Sequence, residues 1–158
     1  MPEVDSTKLP VCVCASVRQV ARAITQVYDE ALQPAGLTSM QFFILMTIRG
    51  HGETSVSQIT AYARMDQTTA TRALQILEKQ RWIEPVLLTD RRKRAFRLTR
   101  LGRAVLKRGE PLWTKVQIDA LEALGEQDWT ATKPILSRIL TLASVRKNPP
   151  KANAQSDS

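Results

Sequence analysis

Between Trp82 and Leu98 the apolar residues stop recurring every three or four positions and begin to alternate, and this single change of period constrains the fold more than any other feature. Trp82-Ile83-Glu84-Pro85-Val86-Leu87-Leu88 reads as a strand, with Pro85 restricting it to a sheet edge. Thr89 to Lys93 is a charged turn, and Arg94-Ala95-Phe96-Arg97-Leu98 alternates basic and apolar residues as a returning strand does. Everything around this hairpin has helical spacing. The class is therefore mainly α, with one small β-hairpin.

The helices can be placed by their stripes and caps. Val13, Val17, Val20, Ile24, Val27 and Ala31 are spaced alternately four and three apart, a heptad-like stripe on a helix from Val11 to Gln33. Pro34 and Gly36 stop it. Thr38 caps a helix from Ser39 to Ile48, and Gly50 and Gly52 place His51 in a loop. Ser55 or Ser57 caps a short helix ending at Ala63, and Asp66 caps another from Gln67 to Gln80. After the hairpin, Thr99 caps a helical region reaching Leu124, which Pro111 is expected to kink or interrupt. Gly125 ends that region, and Asp128 caps a last helix from Trp129 to Val145 with Pro134 in an early turn. The order implies a winged helix-turn-helix domain over 36–110. Segments 11–35 and 111–146 are dimerisation helices, because their apolar stripes have no partner in the centre of the chain. The polar stretches 1–10 and 147–158 are expected to be disordered tails.

Charge narrows the function. The net charge of +8 is not evenly spread: thirteen Lys and Arg stand against four acids between Arg64 and Arg108, while the rest of the chain is nearly balanced. A basic region of this density in a globular chain points to nucleic acid. The hydrophobic share of 43% is ordinary for a globular protein. No apolar run reaches the length of a membrane span, and Met1 to Pro10 lacks the features of a signal peptide, so a cytoplasmic location without a membrane partner is expected. Two cysteines and one histidine, far apart, are too few for a closed zinc site, and no cofactor is expected. No phosphate-cradling glycine loop, no nucleophile elbow and no placed general base argue for an enzyme.

The segment after Asp66 has the division of labour that a recognition helix needs. Gln67, Thr68, Thr69, Thr71 and Arg72 occupy its first turn and a half, while Ala70, Ala73, Leu74 and Leu77 form an apolar face. Arg and Gln make paired hydrogen bonds to guanine and adenine edges, threonine methyls touch thymine, and base edges are reached from the N-terminal residues of such a helix. The compact cluster Asp90-Arg91-Arg92-Lys93-Arg94 at the hairpin tip is shaped to straddle a DNA backbone or enter a minor groove.

These two segments, with Leu77-Glu78-Lys79-Gln80-Arg81-Trp82-Ile83, Leu98-Thr99 and Gly102, resemble the MarR (multiple-antibiotic-resistance regulator) family. So do Tyr28-Asp29-Glu30-Ala31-Leu32, Gly36-Leu37-Thr38 and Gln41-Phe42, and the resemblance runs from Cys12 to Leu142. It implies a homodimer with intertwined first and last helices, reading a pseudo-palindromic duplex operator. Gln67, Thr68, Thr69, Thr71 and Arg72 would read the major groove. Arg92 and its neighbours would enter the minor groove, with Asp90 orienting the wing arginine. The output it implies is repression relieved by a small ligand or an oxidant.

Two release mechanisms follow from the resemblance. Cys14 precedes Tyr28 by the spacing found in members that sense organic hydroperoxides, and oxidation of its thiol to sulfenic acid would shift the first helix. Ser39 and Phe42 stand where those sensors place tyrosines, and Cys12 and Cys14 are equally readable as small packing residues. Alternatively, Tyr28, Phe42, Phe43, Met46 and Trp113 line a pocket for an aromatic or phenolic inducer, or form core. Other functions compatible with the sequence are a non-specific architectural DNA-binding protein and, more remotely, a thiol-dependent enzyme.

Overall fold

The computed structural model of the chain describes residues 12–86 and 94–147, and the side chains up to Leu142. It is a mainly α fold with a small antiparallel sheet. The described residues fall into two compact units that meet between Val116 and Gln117, inside one long helix.

The first unit begins with helix α1, Val13–Leu32, followed by a 3-10 turn at Gln33–Ala35 that carries Pro34 at its start. Gly36, at φ 74°, takes the left-handed turn that lets the chain reverse into α2, Ser39–His51. The start of α2 is closed by a reciprocal cap: the Gln41 amide donates to Thr38 Oγ1 at 3.2 Å and the Thr38 amide donates to Gln41 Oε1 at 2.9 Å. Asp29 Oδ1, near the end of α1, accepts from the Ser39 amide at 2.6 Å and so ties α1 to the first free N–H of α2. His51 belongs to the last turn of α2 rather than to a loop, because Gly50 stays helical and the chain turns only at Gly52.

Strand β1, Thr54–Ser55, leads directly into α3, Val56–Ala63, which Ser55 and Gln58 cap by the same reciprocal pattern. Arg64 at φ 48° ends α3, and α4 runs from Gln67 to Lys79. Strands β2, Ile83–Val86, and β3, Ala95–Leu98, complete an antiparallel sheet in the order β1-β3-β2. The hairpin is thus widened by a strand that the alternation pattern does not reveal, since β1 is two residues long and pairs Thr54 with Phe96 and Ser55 with Ala95. Pro85 lies on β2, an edge strand, as its missing N–H requires.

Helix α5, Arg100–Leu124, starts from a joint. Thr99 Oγ1 donates to the Arg81 carbonyl at 2.6 Å and accepts the Gly102 amide at 3.0 Å. Gly102 packs directly on the Trp82 carbonyl, so that a Cβ there would overlap it. Pro111 does not interrupt α5. It costs the bond to the Lys107 carbonyl, but both residues are exposed and water can serve that carbonyl, while Val116 is buried and Leu112 and Trp113 are partly buried. The core gathers Leu32, Leu37, Phe42, Ile44, Leu45 and Ile48 with Ile59, Leu74, Leu77, Ile83, Phe96, Val105 and Leu106.

The second unit holds the end of α5 and helix α6, Glu126–Lys147. Gly125 at φ 76° reverses the chain in one residue, and α6 therefore begins three residues before Trp129, with Asp128 in its first turn rather than at its cap. Among the described residues, no single helix is long and apolar enough to cross a membrane.

Candidate nucleic-acid interface

Helix α4 presents two chemically different faces. Ala70, Leu74 and Leu77 are buried, which fixes its rotation about its own axis, while Gln67, Thr68, Thr69 and Arg72 are exposed. At this spacing the residues of one turn and a half stand on a surface that the core does not claim. Asp66 caps the helix, accepting from the Thr69 amide at 2.9 Å and from Thr69 Oγ1 at 2.6 Å. Those bonds, the Thr69 hydroxyl first, hold the exposed Asp66 carboxyl below its ordinary range. The Thr69 hydroxyl therefore spends its proton on the cap. Thr71 likewise donates to the Gln67 carbonyl at 2.8 Å, and both keep a methyl and oxygen lone pairs for an outside partner.

Beside this face, a cleft of about 310 Å³ opens between the start of α3, the flank of α4 and the start of β3. Gln67 and Thr71 line it together with Ser55, Ser57, Gln75, Glu78 and Arg94. Of these, Ser55, Ser57, Gln75 and Glu78 are not among the DNA-binding residues expected from the sequence. Ser55 and Ser57 enter there only as alternative caps and Glu78 only within the family motif, and Gln75 and Glu78 lie beyond the first turns of α4, where the reading of a recognition helix stops.

The hairpin contributes Arg94. Its guanidinium lies 3.6 Å from the Glu78 carboxylate and 5.5 Å from the Phe96 ring centre. Further along β3, Arg97 Nε donates to Glu84 Oε1 on β2 at 2.7 Å, and the Glu84 hydrogen bond and charge raise the Arg97 pKa. The remaining tip residues Asp90, Arg91, Arg92 and Lys93 lie outside the described residues.

The proposed regulatory residues are spread over the first unit. Phe42 is buried and stacks on Trp113 with ring centres 5.8 Å apart, and Met46 and Trp113 pack against the core. Phe43 is exposed, and Tyr28 is half-buried, with burial raising its hydroxyl pKa. Cys12 is the N-cap residue of α1 and Cys14 its second residue; both thiols are free and exposed, so neither packs in this chain's core. Arg18 and Arg22 line the same shallow recess as the two cysteines. Fourteen residues of helix separate Cys14 from Tyr28 by about 21 Å, so within one chain they do not meet.

A recognition-type helix capped at its N-terminus, a preceding short helix and a three-stranded wing define a winged helix-turn-helix protein. The MarR family profile matches residues 35–94. The transcriptional regulator MosR of M. tuberculosis, whose crystal structure contains DNA, is 31% identical and aligns with a TM-score of 0.77 over 85% of this chain and 97% of its own. PecS of Dickeya dadantii, an HTH-type transcriptional regulator, is 27% identical over 134 residues, covering 82% of this chain and 81% of PecS. YwoH of Bacillus subtilis, an uncharacterized HTH-type transcriptional regulator, is 31% identical over 84 residues, which span 53% of this chain and 61% of YwoH. The chain belongs to the MarR family and is a transcriptional regulator.

Proposed function

We propose that this regulator binds a pseudo-palindromic duplex operator as a cytoplasmic homodimer and represses from it until an oxidant or a small ligand releases it. The observation that carries the reading is the division of α4, whose apolar side is locked in the core while Gln67, Thr68, Thr69 and Arg72 stand exposed beside the wing. Gln67, Thr68, Thr69, Thr71 and Arg72 read base edges in the major groove. The wing residues Arg91, Arg92, Lys93 and Arg94 engage the minor groove and its phosphates, with Asp90 orienting the arginines. The dimer is supported by apolar surface that a lone chain leaves in water: Val13 and Val20 on α1 are 66% and 65% exposed, and Ile135, Leu136, Leu140 and Leu142 on α6 are exposed as well. DNA in the MosR crystal structure supports the partner.

For release, the exposed thiols favour oxidation. Cys12 and Cys14 are accessible to a dissolved oxidant and share a shallow recess with Arg18 and Arg22. A sulfenic acid formed there by a peroxide changes the polarity of the start of α1, the helix that Asp29 ties to α2. The aromatic residues proposed for an inducer support a pocket less well, because Phe42 and Trp113 already stack on each other and Met46 packs against the core.

The test is fluorescence anisotropy on the DNA upstream of the protein's own gene and on a scrambled duplex, at physiological salt, before and after an organic hydroperoxide. The expected result is a preference of about a thousandfold or more for the specific duplex, lost on oxidation and restored by thiol. Preference that survives the hydroperoxide removes the oxidant and leaves the ligand. Equal binding to both duplexes, falling steeply with salt, replaces the regulator reading of the interface with an architectural one.

A further inference from the structure

Glu78 is out of place on a surface that meets DNA. It lies on α4, lines the same cleft as Gln67 and Thr71, and carries the charge that phosphates repel. Its contact explains it. The Glu78 carboxylate holds the Arg94 guanidinium at 3.6 Å, over the Phe96 ring. The other end of Arg94 is also held, since its carbonyl accepts the Val56 amide at 3.1 Å, the first N–H of α3. Next to it, Ala95 pairs with Ser55 in the sheet. Arg94 therefore joins α3, α4 and β3, and in sequence it directly follows the basic segment Arg91-Arg92-Lys93.

We propose that Glu78 is a positioning residue for DNA recognition: it latches Arg94, the root of the wing, to α4 and so fixes the angle between the wing and the recognition helix. The inference rests on the DNA-binding reading given above. Arg94 directly precedes β3 and is itself a basic group of the wing, so a change in its seat changes where its own guanidinium meets a phosphate. Two elements that must enter adjacent grooves at once gain affinity only when their spacing is set before contact. A phosphate approaching Arg94 adds to the Glu78 contact, because a guanidinium has five N–H donors and serves two anions together.

The sign of the effect separates this role from bulk charge. Glu78→Gln removes one negative charge from a DNA-facing cleft, and on electrostatics alone it tightens binding to every duplex. A lost latch does the opposite on the operator. The experiment titrates operator and scrambled duplexes with wild type, Glu78→Gln, Arg94→Gln and the double variant, after circular dichroism has shown each to be folded. Glu78→Gln is expected to weaken operator binding about three- to fivefold, the span of one surface ion pair, without weakening the scrambled duplex. In the Arg94→Gln background it is expected to add nothing. Without DNA, the Val56 amide is expected to exchange its hydrogen faster in Glu78→Gln than in wild type. Tighter binding to both duplexes, or an unchanged Val56 amide, overturns the latch. Failure of the DNA reading itself looks different: wild type then does not distinguish the duplexes, and a slower or unchanged Val56 amide is needed to dismiss the Arg94 contact as well.

Discussion

Helices α1 and α4 are both amphipathic, and the chain uses them in opposite ways. Helix α4 buries Ala70, Leu74 and Leu77 in its own core and keeps a polar face outside. Helix α1 buries only Leu32, at its last position, and leaves Val13, Val20, Ile24 and Val27 exposed along its length. The orientation of α4 is therefore decided by one chain, whereas the apolar stripe of α1 stays exposed in that chain and is the surface assigned to the partner in the proposed dimer. In that proposal the same amphipathic pattern specifies tertiary structure in one place and assembly in the other.

The contrast can be broken most severely in the core. Leu77 is fully buried, and Leu77→Ala is expected to lower the unfolding free energy by about 2–5 kcal/mol, read from urea denaturation. That loss should not depend on protein concentration if α4 owes its place to its own chain. Ile24→Glu on α1 should act in the other currency, weakening self-association about a hundredfold in sedimentation equilibrium while the helical signal of the winged part persists. A monomer-like response to Ile24→Glu would mean that the α1 stripe is simply tolerated exposure.

Smaller effects sharpen the comparison. Arg72→Ala is expected to weaken operator binding about tenfold with thermal stability unchanged, since the side chain is exposed and touches no core. Thr54→Val is expected to be neutral or to stabilise by about 1 kcal/mol, because the Thr54 hydroxyl is fully buried and unpartnered among the described residues. Asp66 gives the smallest change. Its folded pKa is lowered, so its contribution to the α4 start is fully present above the ordinary aspartate value of 3.8 and is lost as pH falls through the folded value. The Thr69 amide should then exchange faster at low pH in wild type, an acceleration absent from Asp66→Ala.

Much of the fold was legible because caps are local. Thr38, Ser55 and Asp66 each announce a helix within three residues of its start, and all three act as expected. Strand β1 was not legible, since two residues cannot show an alternation and their pairing with β3 spans some forty positions of chain. The early start of α6 depends on Gly125 entering a left-handed conformation, which the glycine allows without requiring. At the interface, the polar run from Gln67 to Arg72 could be read from spacing. The contact of Glu78 with Arg94 could not, because it exists only after β3 has folded back beside α4.

The strand order has a consequence for life at high concentration. A protein that displays a basic hairpin risks recruiting the same hairpin from its neighbours, since open strand edges are templates for aggregation. Here the central strand is β3, and both flanks are blunted: β1 ends after two residues in a helix, and β2 carries Pro85 within its four. Among the described residues, then, the sheet offers a neighbouring copy only edges that are short or broken by a proline, a poor template for further pairing.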